Sequence, residues 1–111
     1  MARGFGGGGG GMGDLVRQAQ KMQQRLSEVQ QGLKDRIVEG TAGGNMVRVL
    51  VNGKQEIVAV KIDPAVVDPK DVAMLEDLIL AAARAGLKKA HDLAQDEMSK
   101  VTGGIPLPGM F

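Results

Sequence analysis

The sequence predicts an α+β subunit with its elements in the order α-β-β-β-α: two long helices and a three-stranded antiparallel sheet. Three observations predict it. An apolar repeat with four-and-three spacing runs from Leu15 to Leu33, three β-branched runs lie between Arg36 and Ile62, and no proline interrupts the chain between Pro69 and Pro106. A length of 111 residues allows one domain.

The first thirteen residues, MARGFGGGGGGMG, hold eight glycines and nothing that anchors a packed element, so residues 1–13 are expected to form a disordered glycine-rich tail. Asp14 can then cap a helix whose apolar positions are Leu15, Ala19, Met22, Leu26, Val29 and Leu33. A period of 3.5 points to a narrow contact with one other long helix rather than a broad face lying on a sheet.

The period then changes to two. Arg36 to Glu39, Met46 to Val51 and Ile57 to Ile62 read as strands, with turns at Ala42-Gly43-Gly44-Asn45 and at Asn52-Gly53. The second and third strands should be antiparallel neighbours. A two-residue loop at Asn52-Gly53 sets Val49 opposite Glu56, whereas a loop at Gly53-Lys54 pairs Val49 with Val58 and Val47 with Val60. The second register is preferred because it keeps one face apolar.

Asp63-Pro64 ends the third strand, and Asp68-Pro69 opens a second helix with Asp68 as its cap. That helix can run to about Thr102, where Gly103-Gly104 stops it. Val72, Leu75, Ile79, Ala82, Gly86, Ala90 and Leu93 repeat the four-and-three spacing, and the small residues around Gly86 offer a narrow surface for close approach. Residues 103–111 end the chain as an apolar Pro/Gly tail that cannot be helical and that either docks on a groove or stays loose.

Composition removes several functions. The only aromatics are Phe5 and Phe111, so the core must be built from Leu, Ile, Val, Met and Ala and will be thin, and dimerisation is a common remedy. Single-stranded nucleic acid binders usually stack bases on aromatic rings, which the interior of this sequence lacks. The absence of cysteine excludes disulfides, zinc fingers and thiolate chemistry and suits a reducing, cytoplasmic compartment. No apolar run reaches the ~20 residues of a membrane span, and the start does not read as a signal peptide.

Catalysis finds no support. His91 has no nucleophile at helical spacing. Glu76-Asp77 and Asp92 with Asp96 read as solvated carboxylates, with no oxygen-rich loop for a cation. Gly6, Gly8 and Gly11 satisfy G-x-G-x-x-G trivially, but no strand precedes them to hold a phosphate cradle. The expectation is a non-enzyme with no cofactor, metal, membrane or small-molecule substrate.

Net charge is only +1, but it is unevenly spread. Up to Arg36 six basic residues face three acidic ones, and from Ile37 onward eight face ten. On the first helix Arg17, Lys21 and Arg25 are spaced i, i+4, i+8 beside the apolar seam, with Gln18, Gln24 and Gln31 interleaved. Cations displace counterions from a phosphate backbone while amides donate to phosphate or sugar, so the stripe suits DNA. A solvated coiled-coil face is the plainer reading. Arg84, Lys88 and Lys89 on the second helix form a lesser patch, either a second DNA surface or half of an intersubunit salt-bridge set.

Several motifs then come together. The segment from Met12 to Gln23 (MGDLVRQAQKMQ), Val51-Asn52-Gly53, Lys61-Ile62-Asp63-Pro64, Met74-Leu75-Glu76-Asp77-Leu78, the glycine-rich start and the ending from Ile105 to Phe111 resemble the YbaB/EbfC family of bacterial nucleoid-associated proteins. The resemblance implies a homodimer with projecting helices in a tweezer-like shape, cytoplasmic and nucleoid-associated, that binds double-stranded DNA and helps to organise the chromosome or modulate gene expression. It implies that residues 14–102 form a dimerising DNA-binding domain. Arg17, Lys21 and Arg25 are the positions that could carry DNA contacts, followed by Arg84, Lys88 and Lys89. The rival is a helical scaffold or chaperone-like adaptor whose seams and apolar tail bind protein.

Overall fold

The computed structural model describes the backbone of residues 2–103 and the side chains of residues 11–101. Its elements are α1 (Ala2–Leu33), β1 (Ile37–Ala42), β2 (Val47–Asn52), β3 (Ile57–Ile62), a 3-10 turn (Pro64–Val66) and α2 (Val72–Thr102). The order is the expected α-β-β-β-α. The apolar segment from Ile105 onward lies outside the described residues.

The sheet is antiparallel throughout, in the order β1-β2-β3. Alternation along β2 sends Val47, Val49 and Val51 to one face, where all three are fully buried, and leaves Arg48 exposed on the other. Onto the buried face packs α2, contributing Ala82 and Ala90 to the same core. Its small residues let it come close: Gly86 lies against Gly40 of β1, backbone to backbone. This is the narrow surface expected around Gly86.

The footprint of α2 covers β1 and β2 but stops short of β3. Ile57, Val58, Val60 and Ile62 of that edge strand are therefore exposed.

The β2–β3 connection differs from expectation. Val49 pairs with Val60 and Val47 with Ile62, two residues beyond the preferred register, with an irregularity between Leu50 and Val51. A shift of two keeps every side chain on its own face, so the apolar face is preserved. The cause is Asn52. Only 3% exposed, it accepts at Oδ1 from the Lys54 (2.9 Å) and Glu56 (3.0 Å) amides and donates from Nδ2 to Glu56 Oε1 (2.8 Å). Next to it the Gly53 amide donates to the carbonyls of Leu33 and Arg36, both at 2.8 Å. A Cβ at Gly53 would lie 2.6 Å from the Leu33 oxygen. Asn-Gly here ties the hairpin to the end of α1 and is not a free two-residue turn, so the loop lengthens to Glu56 and Gln55 takes a positive φ of 64°. The β1–β2 turn is as expected, with Gly43, Gly44 and Asn45 all at positive φ.

Both helix starts also move. Asp68 accepts from the Lys70 amide at 2.9 Å in a separate turn, and Asp71 caps α2 by accepting from the Met74 amide at 3.2 Å. Both carboxylates accept an amide, but the bond of Asp68 closes a turn ahead of the helix, whereas Asp71 directly precedes Val72 and reaches the first turn of α2. Asp14 lies inside α1, whose helical backbone takes in the glycine run, and pairs with Arg17 at 3.2 Å instead of capping. At the other end of α2 Gly103 adopts φ 67°, ψ 27°, the left-handed stop that glycine permits.

The α1 seam meets α2 only at its C-terminal end. Leu33 shares a cleft with Ala94 and Met98, and Met22 shares another with Val101, so the two helices run antiparallel. Beyond Met22 α1 projects past the end of α2 by twenty residues, ~30 Å at 1.5 Å per residue. The molecule measures 81 × 20 × 17 Å.

Candidate nucleic-acid interface

The basic stripe spans the point where α1 outruns α2, with Arg17 and Lys21 on the projecting stretch and Arg25 beside the end of α2. Arg17, Lys21 and Arg25 are all exposed. Eight residues of helix separate the first from the last, ~12 Å, and each step of four turns the side chain by ~40°, so Arg25 lies nearest the apolar seam and Arg17 farthest from it. Arg17 is partly engaged, by Asp14 at 3.2 Å and by the Gly13 carbonyl at 3.4 Å. Lys21 and Arg25 have no ion-pair partner among the described residues. They border a cleft of about 310 Å³ with Gln18, Met22 and Val101. Two solvated cations and an amide donor, beside the end of α2 but unpaired among the described residues, can meet a phosphate backbone without breaking an ion pair described here.

The three α2 cations differ among themselves. Arg84 is exposed without an ion pair among the described residues, whereas Lys88 is held by Asp92 at 2.9 Å. Lys89 is a structural tie: its Nζ donates to the Glu39 carbonyl at 2.9 Å, binding α2 to the outer edge of β1. Arg84 is seventeen residues from Val101, so this patch lies ~25 Å along the axis from the α1 stripe. Within one subunit the two groups are not brought together.

Near the end of α2, Glu97 links Arg36 (3.3 Å) and Lys100 (3.4 Å), and Asp96 adds a second partner to Lys100 at 3.5 Å. The hydrogen bond and charge of Glu97, with Asp96 behind them, hold the Lys100 ammonium above the ordinary lysine range. His91 is half-buried and engaged with a neighbour, so it does not stand as an isolated base. Among the described residues no group of three His, Cys, Asp or Glu could hold a metal ion, and no helix is long and apolar enough to cross a membrane.

The surface that sequence reading missed is apolar. Val60 (48% exposed), Ile57 and Ile62 stand on the same face of the sheet as the buried β2 valines, beyond the cover of α2. Leu80, Ala83 and Leu87 share the flank of α2 turned away from Lys89 and β1, by their i, i+3, i+7 spacing. A strand apolar on both faces is the signal: Ile57, Val58, Val60 and Ile62 do not alternate with polar residues, as an edge strand left in water should.

The model of the YbaB/EbfC DNA-binding family matches residues 8–105. The chain belongs to that family. A nucleoid-associated protein of Clostridium novyi is 53% identical over 114 residues, covering the whole of both chains. Another, from Clostridium kluyveri, is 51% identical over 95% of this chain and 92% of its own. Among solved structures, uncharacterized protein HP0035 from Helicobacter pylori superposes with a TM-score of 0.69 at 25% identity, over 83% of this chain and 94% of that one. The α-β-β-β-α subunit is thus a YbaB/EbfC-type fold, and DNA binding is the family's activity.

Proposed function

We propose that this YbaB/EbfC-family protein binds double-stranded DNA as a homodimer in the bacterial nucleoid, gripping phosphates with Arg17, Lys21 and Arg25 and helping to organise the chromosome or modulate gene expression. The observation that carries the reading is that Lys21 and Arg25 are exposed and have no ion-pair partner among the described residues, at the point where α1 leaves the cover of α2. Cations in that state release counterions on meeting phosphate at little structural cost. Arg84 and Lys88 are a lesser contact surface, and the tie of Lys89 to β1 favours a structural role for it.

Two subunits meet, on this reading, through β3 and the adjoining flank of α2. The exposed Ile57, Val60 and Ile62 together with Leu80 form the kind of contiguous apolar surface that marks a protein interface. Covering it supplies the core that one subunit lacks, and pairing two β3 edges satisfies their open backbone groups. The same surface is what a scaffold or adaptor would use, so that rival rests on an observation too.

A titration of duplex DNA at several salt concentrations, with the mass of the protein measured alongside, tests the proposal. Charge reversal of Arg17, Lys21 and Arg25 together should weaken binding strongly and flatten its salt dependence. Unchanged affinity and slope in a folded dimer would sink it. Without aromatic platforms the protein should prefer duplex to single strands, and a defined protein partner recovered after nuclease treatment, with no duplex binding at moderate salt, would favour the adaptor.

A further inference from the structure

The projecting half of α1 presents an apolar seam that nothing in the described subunit covers. Met12 (67% exposed), Leu15 (62%), Ala19 and Met22 lie along one side of the helix, with Val16 beside them. Toward the sheet the same seam is progressively buried, through Leu26 and Val29 to Leu33, because α2 lies against it there. Cover ends where α2 ends, at the cleft shared by Met22 and Val101.

We infer that the chain's own apolar segment, Ile105-Pro106-Leu107-Pro108-Gly109-Met110-Phe111, takes over from α2 and lies along this seam. Place is the first argument. The segment leaves α2 just past Val101, beside Met22, and α2 points along α1 toward the uncovered stretch. Reach is the second. Eight residues beyond Gly103 span ~25 Å at the ~3.1 Å per residue of a polyproline-type chain, whereas Met22 back to Met12 is ~15 Å of helix.

Chemistry is the third. The segment carries Ile105, Leu107, Met110 and Phe111 and no charge, matching the seam. Pro106 and Pro108 bias it to an extended form and remove two amide donors, so its backbone is rich in unmatched carbonyl acceptors. The rim of the Met22–Val101 cleft supplies donors: Gln18, Lys21 and Arg25. An isolated helix with an exposed apolar stripe is marginal in water, so docking steadies the element on which the basic stripe stands. The inference concerns this cover alone and holds whether or not those cations meet DNA.

The test uses the full chain without DNA. Because the protein has no cysteine, a pair such as Ala19→Cys with Leu107→Cys reports proximity cleanly. In dilute protein the pair should form an intrachain disulfide, whereas a pair with its partner at exposed Lys61 on the sheet should not. Amide exchange gives a second readout: in the full chain carrying Ile105→Ser, Leu107→Ser and Phe111→Ser, exchange at residues 12–22 should quicken roughly fivefold while β2 keeps its protection. Equal exchange in the two proteins overturns the inference. So does protection of residues 12–22 that rises with protein concentration and ignores the serine substitutions, which would make a second copy of α1 the cover, and so does a disulfide formed only between chains.

Discussion

Gly40 of β1 and Gly86 of α2 meet with no side chain between them, and a Cβ on Gly40 would fall onto both the Ala82 carbonyl oxygen and the Gly86 nitrogen. Both obstacles are backbone and cannot rotate aside. Gly40→Ala should therefore cost about 3 kcal/mol, the upper part of the usual overpacking range. At Gly86 the nearest obstacle to a Cβ is the Val51 Cγ2 at 2.8 Å, a side chain, followed by the Gly40 nitrogen at 3.2 Å. Gly86→Ala also regains ~1 kcal/mol of helix propensity, so its net loss should be clearly smaller. Urea unfolding of the two variants checks the ranking, and a Gly86→Ala protein less stable than Gly40→Ala would contradict this account.

Asn52 organises the β2–β3 loop with both ends of its amide. Asn52→Ala leaves the Lys54 and Glu56 amides without their acceptor and should destabilise the fold by ~2 kcal/mol. Asn52→Asp keeps the acceptor but sets a carboxylate against that of Glu56. Its stability deficit should shrink as pH falls and the pair takes up a proton. Thermal melts of the two variants across pH 4–8, estimated from ordinary carboxylate values, read this directly; a deficit independent of pH would show that Glu56 swings away.

The basic residues should separate by role. Lys21→Ala and Arg25→Ala should each lower the log–log salt slope of duplex binding by ~0.9 while leaving unfolding unchanged. Arg17→Ala should lower it less, because Asp14 already offsets its charge at 3.2 Å. Lys89→Ala should do the reverse, loosening the Glu39 edge of β1 with little effect on the slope. A large loss of slope at Lys89 with no loss of stability would reassign that side chain.

If β3 carries the dimer, Val60→Asp places a charge in the middle of the contact. Sedimentation should then show monomer at concentrations where the parent chain is dimer. Because β3 lies outside the α2 footprint, the core valines Val47, Val49 and Val51 should remain packed, and their amide protection tests that the subunit itself has not unfolded. A dimer that survives Val60→Asp removes this face from consideration.

The glycine run sets composition against helical geometry. The backbone of α1 is helical through Gly6–Gly11, where each glycine costs ~1 kcal/mol relative to alanine. Following the disorder expected of residues 1–13, amides there should exchange faster than those from Val16 onward, and replacing Gly6–Gly11 with alanine should raise helix content by circular dichroism. Equal protection along α1 would show that the glycines hold their helix.

Much of this was legible because it is local. Val47, Val49 and Val51 alternate with Arg48 and Leu50, and that alternation alone chose the buried face. Gly103 stops α2 because glycine reaches positive φ without strain. The register was not legible: a shift of two residues leaves each face unchanged, and the alternatives are distinguished by the Asn52 side chain holding Lys54 and Glu56 together with the tie of Gly53 to Leu33 and Arg36. The start of α2 was ambiguous for a similar reason, since Asp68 and Asp71 are chemically identical caps and each accepts a backbone hydrogen bond.

The candidate interface divides along the same line. Four-residue spacing placed Arg17, Lys21 and Arg25 along one helix, because helical geometry converts spacing into direction without reference to anything distant. Arg17 and Lys88 are held by acids three and four residues away, but the engagement of Lys89 depends on a carbonyl fifty residues off. By itself the sequence determined the element order, the faces and the basic stripe. The tertiary structure alone decided where α2 lies against the sheet and against α1, leaving β3 and the far part of the α1 seam uncovered among the described residues. Periodicity states which residues avoid water, but covering them depends on the length and placement of another element, and local pattern does not encode that.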